Sequence, residues 1–194
     1  MDYFSADLHL GHDKLSIYGE RGFTTVKEMN EAIVNNFNKR IGPEDNLYIL
    51  GDVVAGEVEE GIRYLLRLNG KKYIIIGNHD KEEKLEKHKT IPGVTVLGFG
   101  YNYIYNKKKK FFLSHYPCCT ENFSVEEQDG KKVFTKPLAK LTINLSGHTH
   151  SKELWDDRTM SYNVAVDAHN MYPVSIEEII EDCRNLYMDN NSFN

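Results

Sequence analysis

The sequence is poor in several features, and each shortage excludes something. Its 3 cysteines, Cys118, Cys119 and Cys183, are an odd number with no CxxC spacing, which argues against a disulfide framework or a thiolate zinc site. With 5 prolines and 14 glycines among 194 residues it has neither a collagen-like nor a low-complexity composition. It has no basic excess: 24 Lys and Arg against 29 Asp and Glu give a formal net charge of −5, a poor match to a dedicated DNA-backbone binder. No apolar run approaches a membrane span, and no basic-then-apolar leader follows Met1. The expectation is a cytoplasmic protein with no membrane partner. At 40% apolar residues, the chain is long enough to bury a core as one domain over residues 1–194 without a covalent staple. Against this background stand 8 histidines in an acidic chain, and their positions carry the functional argument.

The first half alternates short apolar runs with amphipathic segments. Tyr3–Ala6, Leu47–Leu50 and Lys72–Ile76 read as buried strands. Between them, Val26, Met29, Ile33, Val34 and Phe37 recur at helical spacing over about residues 25–40, as do Val58, Ile62, Leu65, Leu66 and Leu68 over about 57–68. Thr24 or Thr25 with Glu28 supplies a capping box for the first helix. This β-α-β-α-β order predicts an α/β protein with a parallel sheet, whose ligands sit beyond the carboxyl ends of the strands. In the second half, Val94–Phe99, Tyr101–Tyr105 and Phe111–Ser114 read as antiparallel strands, with Asn106 and Lys107–Lys110 at a hairpin tip. Leu141–Leu145 and Tyr162–Val166 are further strands, and Ser175 with Glu178 caps a last helix.

Five strand ends carry one kind of chemistry. They are Asp7-x-His9, Gly51-Asp52, Gly77-Asn78-His79-Asp80, Ser114-His115 and Gly147-His148-Thr149-His150. Side by side, they would place carboxylates, an amide and imidazoles on one rim. That is a nitrogen and oxygen ligand set suited to Mn, Fe, Zn, Ni or Co. In extended backbone, residues i and i+2 point the same way, so both members of each x-separated pair would reach the rim. Glycine before Asp52, Asn78 and His148 permits a sharp exit and close approach. Each motif alone is commonplace; their order along the chain is not.

This set resembles the calcineurin-like metallophosphoesterase superfamily over residues 7 to 150. The stretches Ser5–His12, Arg21-Gly22-Phe23, Leu113–Pro117 and Asn163–Asp167 are similar to a subgroup of small single-domain bacterial and phage phosphoesterases. The resemblance implies a four-layer α/β/β/α sandwich, with two mixed β-sheets flanked by helices. It implies two divalent metal ions, with Mn favoured and Fe, Zn, Ni or Mg as alternatives. Asp7, His9 and His150 would bind the first ion, Asn78, His115 and His148 the second, and Asp52 both. A water shared by two such ions ionises near neutral pH and is placed for in-line attack on phosphorus. His79 would then serve as general acid or phosphoryl stabiliser, with Asp80 orienting its ring.

A phosphodiester or small nucleotide-like phosphate is the expected substrate. Monoesters, nucleotide pyrophosphates, nucleic acid and a non-catalytic scaffold are the alternatives on the same fold. His12 is either a phosphate contact or a solvated loop histidine, and Arg21 either a phosphate clamp or a surface arginine. His169 reads as structural and His88, in a charged helix, as exposed. The lysine run at 107–110 and Lys131-Lys132 either steer an anionic substrate or stay solvated. The polar stretch from Tyr116 to Lys140, with Cys118-Cys119, reads as a loop forming a lid or substrate wall.

Overall fold

A computed structural model of the chain describes residues 1–107, 109–118, 126–128, 131–133, 143–156 and 158–188. In chain order the elements are β1 (Asp2–Ser5), α1 (Leu15–Tyr18), α2 (Val26–Arg40), β2 (Asn46–Leu50), α3 (Val58–Arg67), β3 (Lys71–Ile75) and α4 (Glu82–Lys89). There follow β4 (Val94–Gly98), β5 (Gly100–Tyr105), β6 (Lys109–Ser114), β7 (Glu126–Gln128), β8 (Lys131–Val133) and β9 (Ile143–Ser146). The chain ends with β10 (Trp155–Asp156), β11 (Ser161–Asn163), β12 (Val174–Ser175) and α5 (Ile176–Met188).

Two five-stranded mixed sheets face each other, in the orders β12-β1-β2-β3-β4 and β10-β11-β9-β6-β5, as expected for this α/β class. In the first sheet β1 to β4 run parallel and β12 antiparallel. In the second, β6, β9 and β11 run parallel, with β5 and β10 antiparallel at the edges. Between the sheets lie Phe4, Tyr48, Leu50 and Ile75 from one side and Tyr103, Phe111, Leu145 and Tyr162 from the other. α5 adds Ile176, Ile179, Ile180 and Cys183 to that core. α2 and α3 cover the other face of the first sheet, burying Ile33, Phe37 and Leu65 against Leu47, Ile49 and Ile74. Each such burial is worth about 1.5–3 kcal/mol.

The helix starts are where the capping residues put them. Thr25 accepts from the Glu28 N–H while Glu28 accepts from the Thr24 N–H, and Ser175 and Glu178 cap each other reciprocally. Other expectations need correction. β4 is not antiparallel to its successor; it joins β3 in parallel, and Gly98, at φ 102, turns the chain into the second sheet. Leu66 is 55% exposed, because Tyr64 takes the buried position on α3. Lys109 and Lys110 belong to β6 rather than to the hairpin tip, and Lys131 and Lys132 to β8. Lys108, Cys119 and most of the 116–140 stretch lie outside the described residues. Among the described residues, no helix is long and apolar enough to cross a membrane.

His88 departs most from expectation. It is fully buried, and neither ring nitrogen finds a hydrogen-bond partner among the described residues. Burial, with Lys84 nearby, lowers its pKa from 6.5 to about 4. A lowered histidine value means stability that is present above pH 6.5 and lost as pH falls toward 4. Between pH 7 and pH 5 the wild type should therefore lose about 2 kcal/mol more unfolding free energy than His88→Leu. Urea titrations at the two pH values test this, and equal losses would refute it.

Candidate metal centre

All five motifs leave the carboxyl ends of parallel strands: β1, β2 and β3 in one sheet, β6 and β9 in the other. The two sheets are tied together at this rim. Val164 N–H donates to Ser146 O in the second sheet, and Val166 N–H donates to Ala6 O in the first. The rim is thus a seam between sheets, and donors from both converge on it.

The backbone there is not extended. Asp7, His9, Asp52, His148 and His150 have φ of 56°, 49°, 54°, 72° and 52°, in the left-handed region that side chains other than glycine's avoid. Asp7 with His9, and His148 with His150, therefore converge through these turns and not through the i, i+2 alternation of extended backbone. The turns are left-handed and cost about 1–2 kcal/mol per residue. They persist because their peptide groups are held. Asp7 and His9 N–H donate to Gly51 O and Asp52 O at 3.2 and 2.9 Å. His148 N–H donates to Asp7 Oδ2 at 2.8 Å. The Asp80 carboxylate accepts from Asp52, Val53 and Gly77 N–H at 2.8, 3.2 and 2.9 Å. Glycine is needed for the close approach: a Cβ at Gly147 would collide with the Asp7 carboxylate, and one at Gly51 with the His115 ring.

Two donor groups result. In one, Asp7, His9 and His150 place donor atoms within 4.8 Å of one another, with His9 Nε2 3.2 Å from His150 Nε2. In the other, His115 Nε2 lies 2.8 Å from Asn78 Oδ1 and 3.1 Å from His148 Nδ1, and Asn78 Oδ1 is 3.0 Å from His148 Nδ1. Asp52 stands between them, with Oδ2 3.6 Å from both His9 Nε2 and His115 Nε2. Its Oδ1 accepts the His79 N–H at 2.8 Å.

The electrostatics fit cations. Asp7 Oδ1 is buried without a hydrogen-bond partner among the described residues. Burial pushes the Asp7 pKa up to about 7, against the opposing pull of His150 and the His148 N–H. Burial also holds His9, His115 and His148 below the usual histidine range, which keeps them neutral. His115 Nδ1 donates to Leu50 O at 2.9 Å, so a neutral ring turns a bare Nε2 toward the Asn78 oxygen. Lone pairs facing one another, beside an unpartnered carboxylate oxygen, are what a divalent cation would satisfy.

The remaining candidates are placed differently. The His79 ring borders the group, its side chain 41% exposed and its Nε2 4.0 Å from Asp52 Oδ2. Asp80 does not meet that ring as expected; its oxygens are taken by the three backbone donors, so it braces the turn carrying Asp52. Nor is His12 solvated. It is buried, with Nδ1 3.0 Å from His9 Nδ1 and its ring 5.7 Å from that of His79, and burial lowers its pKa to about 4. Arg21 is not a surface residue either: its side chain is 2% exposed and paired with Asp167. His169 is structural as expected, with Nε2 2.8 Å from Asn163 O. Two further side chains border the donor groups. Lys84 Nζ donates to His79 O and Val54 O at 2.9 and 2.8 Å, and the Tyr116 ring packs 4.4 Å from that of His148. One lysine in a charged helix gives no signal in a sequence; Tyr116, adjacent to His115, does.

The architecture is a mixed double sheet of the α/β sandwich class, with histidine, carboxylate and amide donors that could hold metal ions converging on its rim. The chain belongs to the calcineurin-like phosphoesterase family, whose model matches residues 3–190. It is similar to an uncharacterized protein of Methanocaldococcus jannaschii, 28% identical over 92% of this chain and 89% of the relative. It is also similar to the Gene 66 protein of Mycobacterium phage D29, 24% identical over 93% of this chain and 96% of the relative. A crystal structure of a protein of unknown function from Aquifex aeolicus superposes with a TM-score of 0.68 at 25% identity, covering 93% of this chain and 98% of that one.

Proposed function

We propose that the protein hydrolyses a phosphodiester or a small nucleotide-like phosphate with two divalent ions, Mn being the favoured metal. The observation that carries this is the position of Asp52, whose Oδ2 is equidistant, at 3.6 Å, from one histidine of each donor group. Asp7, His9 and His150 would hold one ion, Asn78, His115 and His148 the other, and Asp52 both. Bound there, the ions would activate a water and neutralise charge growing on the phosphoryl oxygens.

The chain's own groups do the rest. The Asp52 carboxylate is fixed by the His79 N–H, so the bridging ligand and the proton donor are parts of one unit. Lys84 secures the His79 carbonyl. The half-exposed His79 imidazole meets the leaving oxygen and gives it a proton, the role its place at the mouth of the site supports. The His12 ring, stacked on His9 and next to His79, would be the further contact for a phosphate oxygen.

The test is a substrate panel after Mn²⁺ reconstitution: p-nitrophenyl phosphate, its bis ester, 2′,3′- and 3′,5′-cyclic nucleotides and dinucleotide polyphosphates. Turnover that depends on Mn²⁺ and favours diesters is expected. Failure on every substrate would overturn the proposal, and a preference for the monoester would overturn its substrate class.

A further inference from the structure

Arg21, which the sequence assigns either to substrate or to the surface, forms a buried unit with Asp167. The guanidinium grips the Asp167 carboxylate with both prongs, Nε to Oδ1 and Nη2 to Oδ2, each at 2.8 Å. Nη2 also donates to Asp7 O at 2.7 Å, and Nη1 to Leu8 O at 3.4 Å, with Met29 Sδ at the same distance from Nη1. With its nitrogens so engaged, Arg21 has no prong left for a phosphate. Asp167 Oδ2 in turn lies 3.1 Å from His150 Nδ1. The carboxylate accepts that ring's N–H, since Nδ1 sits farther, at 3.4 Å, from Arg21 Nη2. A proton held on Nδ1 leaves the Nε2 lone pair turned toward His9 Nε2, inside the first donor group.

We infer that Arg21 and Asp167 are positioning residues for one metal only, the ion held by Asp7, His9 and His150. Arg21 fixes the left-handed Asp7 turn through its carbonyl, and Asp167 sets the tautomer and tilt of His150. Among the described residues the second donor group has no such device: His115 is oriented by a backbone carbonyl, Leu50 O. The unit thus makes the two metal positions unequal. The inference rests on the two-metal proposal above.

Asp167→Asn discriminates best because it keeps the shape. An amide cannot accept from both Arg21 prongs: with its NH₂ at Arg21 Nε the fork is broken, and with its oxygen there the NH₂ faces His150. The second placement demands a bare Nδ1 and puts the proton on Nε2, where the metal belongs. Arg21→Lys keeps the charge but loses the fork. Mn²⁺ binding is read by calorimetry and by the electron paramagnetic resonance signal, beside the urea stability of the metal-free protein. Wild type should bind two ions and show a spin-coupled pair. Both variants should weaken one of the two sites about 10–100-fold and give an isolated-ion signal at one equivalent. Their kcat should return to within a few-fold of wild type when Mn²⁺ saturates. Two unchanged binding constants in variants that have lost only stability would overturn the inference. So would a raised KM for substrate with metal affinity intact, which would mark Arg21 as a substrate clamp. If either variant fails to fold, the other is read alone by the same criteria. Should wild type bind no Mn²⁺, the two-metal proposal itself fails; wild type with two ions and unaltered variants sinks only the positioning role.

Discussion

Asp52→Asn should yield a folded protein that has lost its metals and nearly all of its activity. The amide has the volume of the carboxylate and can still accept the His79 N–H, so the local turn keeps its hydrogen bond. What disappears is the negative oxygen between the two donor groups, 3.6 Å from His9 Nε2 and from His115 Nε2. One substitution therefore weakens both ions at once. Metal ions contribute several kcal/mol to stabilising a phosphoryl transition state, and tenfold in rate is 1.36 kcal/mol, so the expected loss is about 10³–10⁵-fold. Elemental analysis of the purified variant should find well under one metal per chain. Normal metal content with normal turnover would refute the bridging role.

Removing the His79 ring should do the opposite: keep the metals and slow the chemistry. The ring is the half-exposed part of the residue, while the peptide N–H that holds Asp52 survives any substitution. His79→Ala should bind Mn²⁺ as wild type does and lose about 10²–10⁴-fold in kcat, the usual worth of a general acid. The loss should be smallest for p-nitrophenolate, which departs without a proton, and largest for an alkoxide or nucleoside leaving group. A uniform loss across leaving groups would instead make His79 a binder of the phosphoryl group, and an unchanged rate would remove it from the chemistry.

The two effects separate what was legible in the sequence from what was not. Asp52 and Asn78 stand just past continuous apolar strands, Leu47–Leu50 and Lys72–Ile76, so strand, exit and donor are all local information. His115 and His148 follow β6 and β9 in the same way. The sequence could not show the left-handed turns at Asp7, His9, Asp52, His148 and His150, because the hydrogen bonds that hold them come from other parts of the chain. Arg21 is the clearest case. In sequence it sits in a polar Gly-Glu-Arg-Gly stretch that looks solvated; in the fold, Asp167 reaches it from the other end of the chain and buries it. Asp80 follows the same logic. Its neighbour in sequence is His79, but its partners are the backbone N–H groups of Asp52, Val53 and Gly77, which become adjacent only when β2 pairs with β3. His88 was hidden by its neighbours, since the charges of Glu82–Lys89 conceal one buried position. β4 could not be assigned locally either, because nothing in Val94–Gly98 says whether β3 or β5 is its partner.

Two ions sharing Asp52 are the core of the proposed function, and anomalous diffraction from Mn²⁺-loaded crystals would locate them. Two manganese peaks should flank the Asp52 carboxylate, one among Asp7, His9 and His150 and the other among Asn78, His115 and His148. A single peak, or peaks away from Asp52, would contradict it.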